Sequence, residues 1–219
     1  MRIGPAVRAW ACLLASLTIA CGQTSIQLAD IKAADPTIVV GLRYAGSNNI
    51  AGHALYPKGT RAMIQPELIP RLKAAQKFLR QFDYRLKIWD AYRPPSAQRE
   101  LWQGIQNDSY VANPELGTGS LHSWGVAVDC TLTDLHNREV RMPTDFDDFS
   151  PAALSQYAGP DKLIRSHLHL LQVAMAGSGF YAFRHEWWHF TVKNWSRYLP
   201  PDEAARVAKI FGSPTKEDL

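Results

Sequence analysis

The sequence predicts an α+β fold, and three observations predict it. Segments with helical spacing and segments rich in β-branched residues both occur, and they do not follow a regular βαβ order. No internal repeat at a solenoid period and no low-complexity stretch interrupts them. The 219 residues are 46% hydrophobic and 20% charged, which is globular composition sufficient for one core. One domain is expected over residues 36–212, with a short tail over 213–219.

Residues 1–20 stand apart. Arg2 and Arg8 precede an uncharged apolar run from Ala9 to Ala20, too short to span a bilayer and ending in small residues. This is the pattern of an export signal. Thr18-Ile19-Ala20-Cys21 resembles the lipobox of bacterial lipoproteins, which would make Cys21 the lipidated first residue. Ordinary cleavage near Ala20 is the alternative. The expected location is therefore the periplasm, free or membrane-anchored through lipid alone. Residues 22–35 read as a tether or extended lead-in. With Cys12 in the signal and Cys21 the lipid candidate, Cys130 is left alone, so no disulfide framework is expected. Net charge is +4, and removing Arg2 and Arg8 leaves +2, too little to argue for nucleic acid.

The elements follow in order. "PTIVVGLRYA" (36–45) reads as a strand and "GSNNIAGHALYPKGT" as a long loop. Leu68, Ile69, Leu72, Ala75, Phe78, Leu79 and Phe82 repeat at helical spacing after Pro66, which suits a first turn. "YRLKIWD" (84–90) alternates as a strand does. A second helix should start after Pro95, with Ser96 a candidate cap. "GVAVDCTLTD" reads as a strand, and a helix from Asp161 to Ala176 is stopped by Gly177 and Gly179. "EWWHFTV" reads as a strand and "PPDEAARVAKI" as a terminal helix.

The chemistry centres on histidine. His185-Glu186-Trp187-Trp188-His189 matches H-E-x-x-H, but that zinc motif requires a helix, and Trp, Phe, Thr and Val favour a strand. Four residues along a strand span roughly 13 Å, so His185 and His189 cannot share one ion. Glu186 and His189 remain as separate candidates. In "SLHSWGVAVD", His122 and Asp129 lie seven apart and would face opposite ways in a flat strand. A turn at Ser123-Trp124-Gly125 would bring them together, with Gly125 permitting the reversal. A buried strand with a hydrogen-bonded aspartate fits the same spacing equally well. Arg93 before Pro94 is compatible with a surface loop, Asp90 with a helix cap and Tyr44 with sheet packing. His167 and His169, two apart on a helix, read as structural, His53 as exposed, and Trp187 and Trp188 as core and pocket wall.

Ser120-x-His122-x-x-Gly125-x-Ala127-x-Asp129 followed by Glu186-x-x-His189 resembles the paired signature of the zinc D-alanyl-D-alanine dipeptidases and carboxypeptidases. "DAYRP" (90–94), "LRYAGSNNIAG" (42–52) and "EWWHF" resemble the dipeptidase branch, the likeness running from about Asp30 to Tyr198. The resemblance implies a compact single domain with a small central antiparallel sheet flanked by helices. It implies one zinc ion held by His122, Asp129 and His189, with Glu186 as catalytic base and Arg93 binding the developing oxyanion. Tyr44, Ser120 and Asp147, or alternatively Asp148, would line a dipeptide pocket, and Asp90 would orient Arg93. The implied activity is a zinc metallopeptidase hydrolysing D-alanyl-D-alanine in cell-wall peptide turnover. A D,D-carboxypeptidase trimming peptidoglycan stem peptides and a non-enzymatic wall-binding lipoprotein are the competing readings.

Overall fold

In the computed structural model, residues 26–108 and 110–205 are described. The signal, Cys21, the end of the terminal helix and the tail lie outside the described residues. That terminal helix starts at residue 201. Among the described residues no helix is long and apolar enough to cross a membrane.

In chain order the elements are β1 (Ala29–Asp30), α1 (Ile31–Ala34), β2 (Val39–Val40), β3 (Met63–Ile64), α2 (Ile69–Leu79) and β4 (Arg85–Asp90). They continue with α3 (Pro95–Ile105), β5 (Ala127–Thr133), α4 (Lys162–Gly177), β6 (Phe180–Ala182) and β7 (His189–Val192). Five strands form one sheet in the order β2-β4-β5-β7-β6, and β1 pairs with β3 separately. The sheet is antiparallel except at one edge, where β2 runs parallel to β4. The expected antiparallel sheet is thus corrected at that pair, because the crossover through β3 and α2 returns the chain to the same end before β4 begins.

Several boundaries moved. Residues from Ala29 onward, expected within an extended lead-in, fold onto the domain: Asp30 caps α1 by accepting from Lys32 and Ala33 N–H, and Ile31 is fully buried. The helix expected from Pro66 is a 3-10 turn, then α2, then a second 3-10 turn over Arg80–Phe82. Ser96 does not cap α3; Pro94 holds the cap position and Pro95 the first turn, where a missing N–H costs little. Asp161 caps α4 through Leu163 and Ile164 N–H, and α4 packs on α2.

β5 is the centre of the sheet and all seven of its residues are buried. Its two faces differ in chemistry. Val128, Cys130 and Leu132 belong to the apolar core, while Asp129, Thr131 and Thr133 alternate onto the other face. Cys130 is a free thiol sealed in that core. A bulge in β4 decides what joins Asp129. Ile88 pairs with Cys130, yet Asp90, two residues on, pairs with Asp129. The extra residue, Trp89, turns Asp90 out of the core and onto the polar face.

Candidate metal centre and active site

The turn expected inside "SLHSWGVAVD" is a 3-10 helix over Leu121–Trp124. The Ser120 hydroxyl caps it by accepting from His122 N–H at 3.3 Å. Gly125, at φ +66°, closes it with its N–H on the His122 and Leu121 carbonyls. A side chain there would meet Leu28 at 2.6 Å in a backbone conformation that already disfavours one. The chain therefore reverses and β5 starts at Ala127, with His122 folded back beside Asp129.

His189 arrives across the sheet as the register partner of Asp129. The three donors close into a triangle: His189 Nδ1 is 3.0 Å from Asp129 Oδ1, His122 Nε2 is 3.3 Å from the same oxygen, and the two nitrogens are 3.1 Å apart. Donors about 2.0–2.2 Å from a tetrahedral ion stand about 3.3–3.6 Å from one another, so the triangle fits a single ion within a few tenths of an ångström. The outer nitrogens are engaged. His122 Nδ1 donates to the Ala91 carbonyl at 2.8 Å, which leaves Nε2 as a lone pair facing inward. His189 Nε2 meets the Thr191 hydroxyl at 3.1 Å. Two inward ring nitrogens against a carboxylate suit a cation, and two imidazoles with one carboxylate are the donors zinc takes at hydrolytic centres. Burial works to raise the Asp129 carboxyl, but His122 and His189 outweigh it and hold it below the ordinary range.

Glu186 sits in the turn before β7, not in the strand, with Oε2 at 3.9 Å from His189 Nδ1. Burial pushes its carboxyl up to about 7. His185 is exposed in the turn before β7 and lies outside the donor cluster; it is this turn, and not the expected strand spacing, that holds it away.

Arg93 is buried and clamped. Its Nε and Nη2 donate to Asp90 Oδ2 at 2.9 and 2.8 Å, and Nη1 donates to Gln98 Oε1 at 2.9 Å. Its guanidinium lies 4.6 Å over the Tyr44 ring and 3.7 Å from Asp129. The other oxygen of Asp90 accepts from Tyr56 at 2.5 Å, so Asp90 orients Arg93 and caps no helix. Tyr44 donates to Asp147 Oδ1 at 3.3 Å, and Ile50 N–H donates to Oδ2 at 3.0 Å. Asp147 lines the cavity, whereas Asp148 is exposed and accepts from Ser150 N–H. Burial pushes Asp147 up to about 7.

These groups share one cavity of about 280 Å³, lined by Tyr44, Arg93, Ser120, Asp147 and Glu186 with the metal donors. That is the small end of ligand pockets, which run from about 300 Å³ upward. A wider groove of about 910 Å³, lined by Arg43, Lys87, Glu139 and Asp145, contains none of the donors. Trp188 walls the cavity and Trp187 packs on Trp89 in the interior. His167 is structural, between Tyr84 and the Arg141 carbonyl, and exposed His53 pairs with Glu100.

Sequence reasoning missed Tyr56, Gln98 and Thr191. Thr191 carried a signal, since residues i and i+2 of a strand share a face and His189 precedes it by two. Gln98 lies one helical turn beyond Pro94. Tyr56, in a long loop, carried none.

Residues 24–204 match the Peptidase M15 family, described as D-ala-D-ala dipeptidase. The chain is 31% identical to a D-alanyl-D-alanine dipeptidase of Escherichia coli over 78% of its length and 88% of the relative's. It is 25% identical to one of Enterococcus faecalis, over 68% of this chain and 82% of that protein. Among solved structures, the vancomycin resistance D,D-pentapeptidase VanY with Zn(II) matches at TM-score 0.40 and 14% identity, covering 70% of this chain and 83% of its own, too distant to bear on the site. By the family match across most of its length, this chain belongs to the D-Ala-D-Ala dipeptidase family.

Proposed function

We propose that this chain is a zinc dipeptidase that splits free D-alanyl-D-alanine into two D-alanines during turnover of cell-wall peptides. The observation that carries the reading is one small cavity holding a three-donor metal site, a carboxyl 3.9 Å from one of its donors and a fixed guanidinium. Zinc, when bound, supplies an acidified water and polarises a carbonyl.

The chain's own residues do the rest. Glu186 stands beside the metal donors with its carboxylate 3.9 Å from His189, so it takes a proton from the attacking water and hands it to the departing amine. Asp90 and Gln98 occupy three of the N–H groups of Arg93, leaving two of its five for an oxyanion. A fixed donor of this kind lowers the barrier by about 3–4 kcal/mol. Asp147, fixed by Tyr44 and Ile50 N–H, receives the ammonium of a free dipeptide, and Ser120 completes the wall. An intact base argues against a wall-binding protein without turnover.

The test combines metal content with hydrolysis of D-Ala-D-Ala, its L-containing isomers and a stem pentapeptide. Zinc-dependent cleavage of the D,D-dipeptide is expected. Cleavage of the pentapeptide alone turns the reading to a D,D-carboxypeptidase.

Export follows from residues 1–20, with lipidation at Cys21 placing the enzyme on the periplasmic face of a bacterial membrane. Palmitate labelling that disappears in Cys21→Ser supports it. A cytoplasmic protein with residues 1–20 intact removes its basis.

A further inference from the structure

The cavity has a roof that neither the metal site nor the base requires. Tyr110, on the loop after α3, stacks on Phe149 with ring centroids 4.4 Å apart and planes at 16°. Both rings line the cavity. Phe149 is anchored from behind, edge-on to the buried Trp188 at 6.1 Å, while Tyr110 is 42% exposed and closes the pair from outside. Phe149 follows Asp147 by two residues, so one segment supplies both the carboxylate and the roof next to it.

We infer that the Tyr110–Phe149 stack sets substrate length by covering the end of the cavity where the α-amine sits, so that nothing attached to that nitrogen fits. This rests on the dipeptidase reading and deepens it. A free ammonium pairs with Asp147 beneath the rings. An acyl or aminoacyl extension must pass between two rings already in van der Waals contact, and it also removes the charge that pairs with Asp147. Two exclusions then act together, one steric and one electrostatic, and only the first belongs to the stack.

The experiment compares zinc-loaded wild type, Tyr110→Ala, Phe149→Ala and Tyr110→Phe on D-Ala-D-Ala and on the tripeptide L-Lys-D-Ala-D-Ala. The ratio of kcat/KM for tripeptide over dipeptide should rise at least tenfold in Tyr110→Ala and stay at the wild-type value in Tyr110→Phe, which keeps the stack. An unchanged ratio in Tyr110→Ala, with melting temperature and dipeptide turnover retained, overturns the inference, as does a wild type that already cleaves both equally. Phe149→Ala is read the same way if it melts as wild type does. If the wild type cleaves neither peptide, the dipeptidase reading fails and the roof is judged separately by the rate at which a chelator strips zinc. Faster stripping in Tyr110→Ala than in Tyr110→Phe supports a roof, and equal rates overturn it.

Discussion

Asp129 on β5 and His189 on β7 are register partners whose donor atoms stand 3.0 Å apart on the polar face of the sheet. Two of three metal donors are thus fixed by backbone pairing on the central strands of the sheet, which is a rigid place to build a site. Replacing either with Ala should lower zinc affinity by more than the roughly 10–100-fold that loss of an outer hydrogen-bond partner costs. Thr191→Val, which removes such a partner of His189, should fall within that range. Competition with a chromogenic chelator measures all three.

Glu186→Ala should leave zinc stoichiometry unchanged and lower kcat by about 10²–10⁴, the range for a lost general base. Unchanged turnover with zinc retained refutes the role.

Arg93→Lys should not be tolerated. A lysine ammonium cannot span Asp90 and Gln98 while presenting two further donors. Loss of kcat of about 10²–10³ is expected, with little change in KM. Tyr56→Phe strips one donor from Asp90 and should lower kcat by a smaller factor, about tenfold, through loosened positioning of Arg93. Steady-state kinetics on the dipeptide distinguish the two.

Asp147 gives a pH signature. Burial raises its folded-state pKa to about 7, so between the ordinary carboxylate range and 7 the folded chain holds a proton that the unfolded chain has lost. The stability this residue contributes is present at low pH and falls as pH rises through that window. Asp147→Asn abolishes the fall, so its melting temperature relative to wild type should increase from pH 5 to pH 8. Substrate binding runs the other way, because only the ionised carboxylate pairs with an ammonium. Wild-type KM should rise by up to about tenfold per unit below pH 7, and the Asn variant should show a high, flat KM. A flat wild-type profile rules out Asp147 as the ammonium partner.

Gly125→Ala tests the reversal that carries His122. A left-handed residue with a Cβ costs about 1–2 kcal/mol, and here the Cβ also meets Leu28. Lower stability together with weaker zinc binding is expected from calorimetry and metal titration. Lower stability with unchanged zinc affinity would show that the turn adapts without moving His122.

Much of this site is legible in the chain. His122, Asp129, Glu186 and His189 are polar side chains set in apolar or aromatic runs, where an unpaired polar group is costly, so their presence demands partners. The glycine at 125 announces a reversal, and the strand-forming residues after His189 argue against a helical H-E-x-x-H, although a turn and not a strand carries His185. The mixture of helical and strand periods determines an α+β fold, because each period reports which face of one element is buried, a local property.

What the tertiary structure decided is which of these faces meet. The period-2 pattern of β4 assigns Asp90 to the same face as Ile88, in the core; the bulge at Trp89 reverses that and sets Asp90 under Arg93. The choice of Asp147 over Asp148 depends on a left-handed residue at φ +58°. Tyr56 reaches Asp90 across 34 residues and Tyr110 reaches Phe149 across 39, through loops without a period to read. Such contacts arise from how elements close on one another, and sequence spacing constrains a side chain only relative to its own backbone.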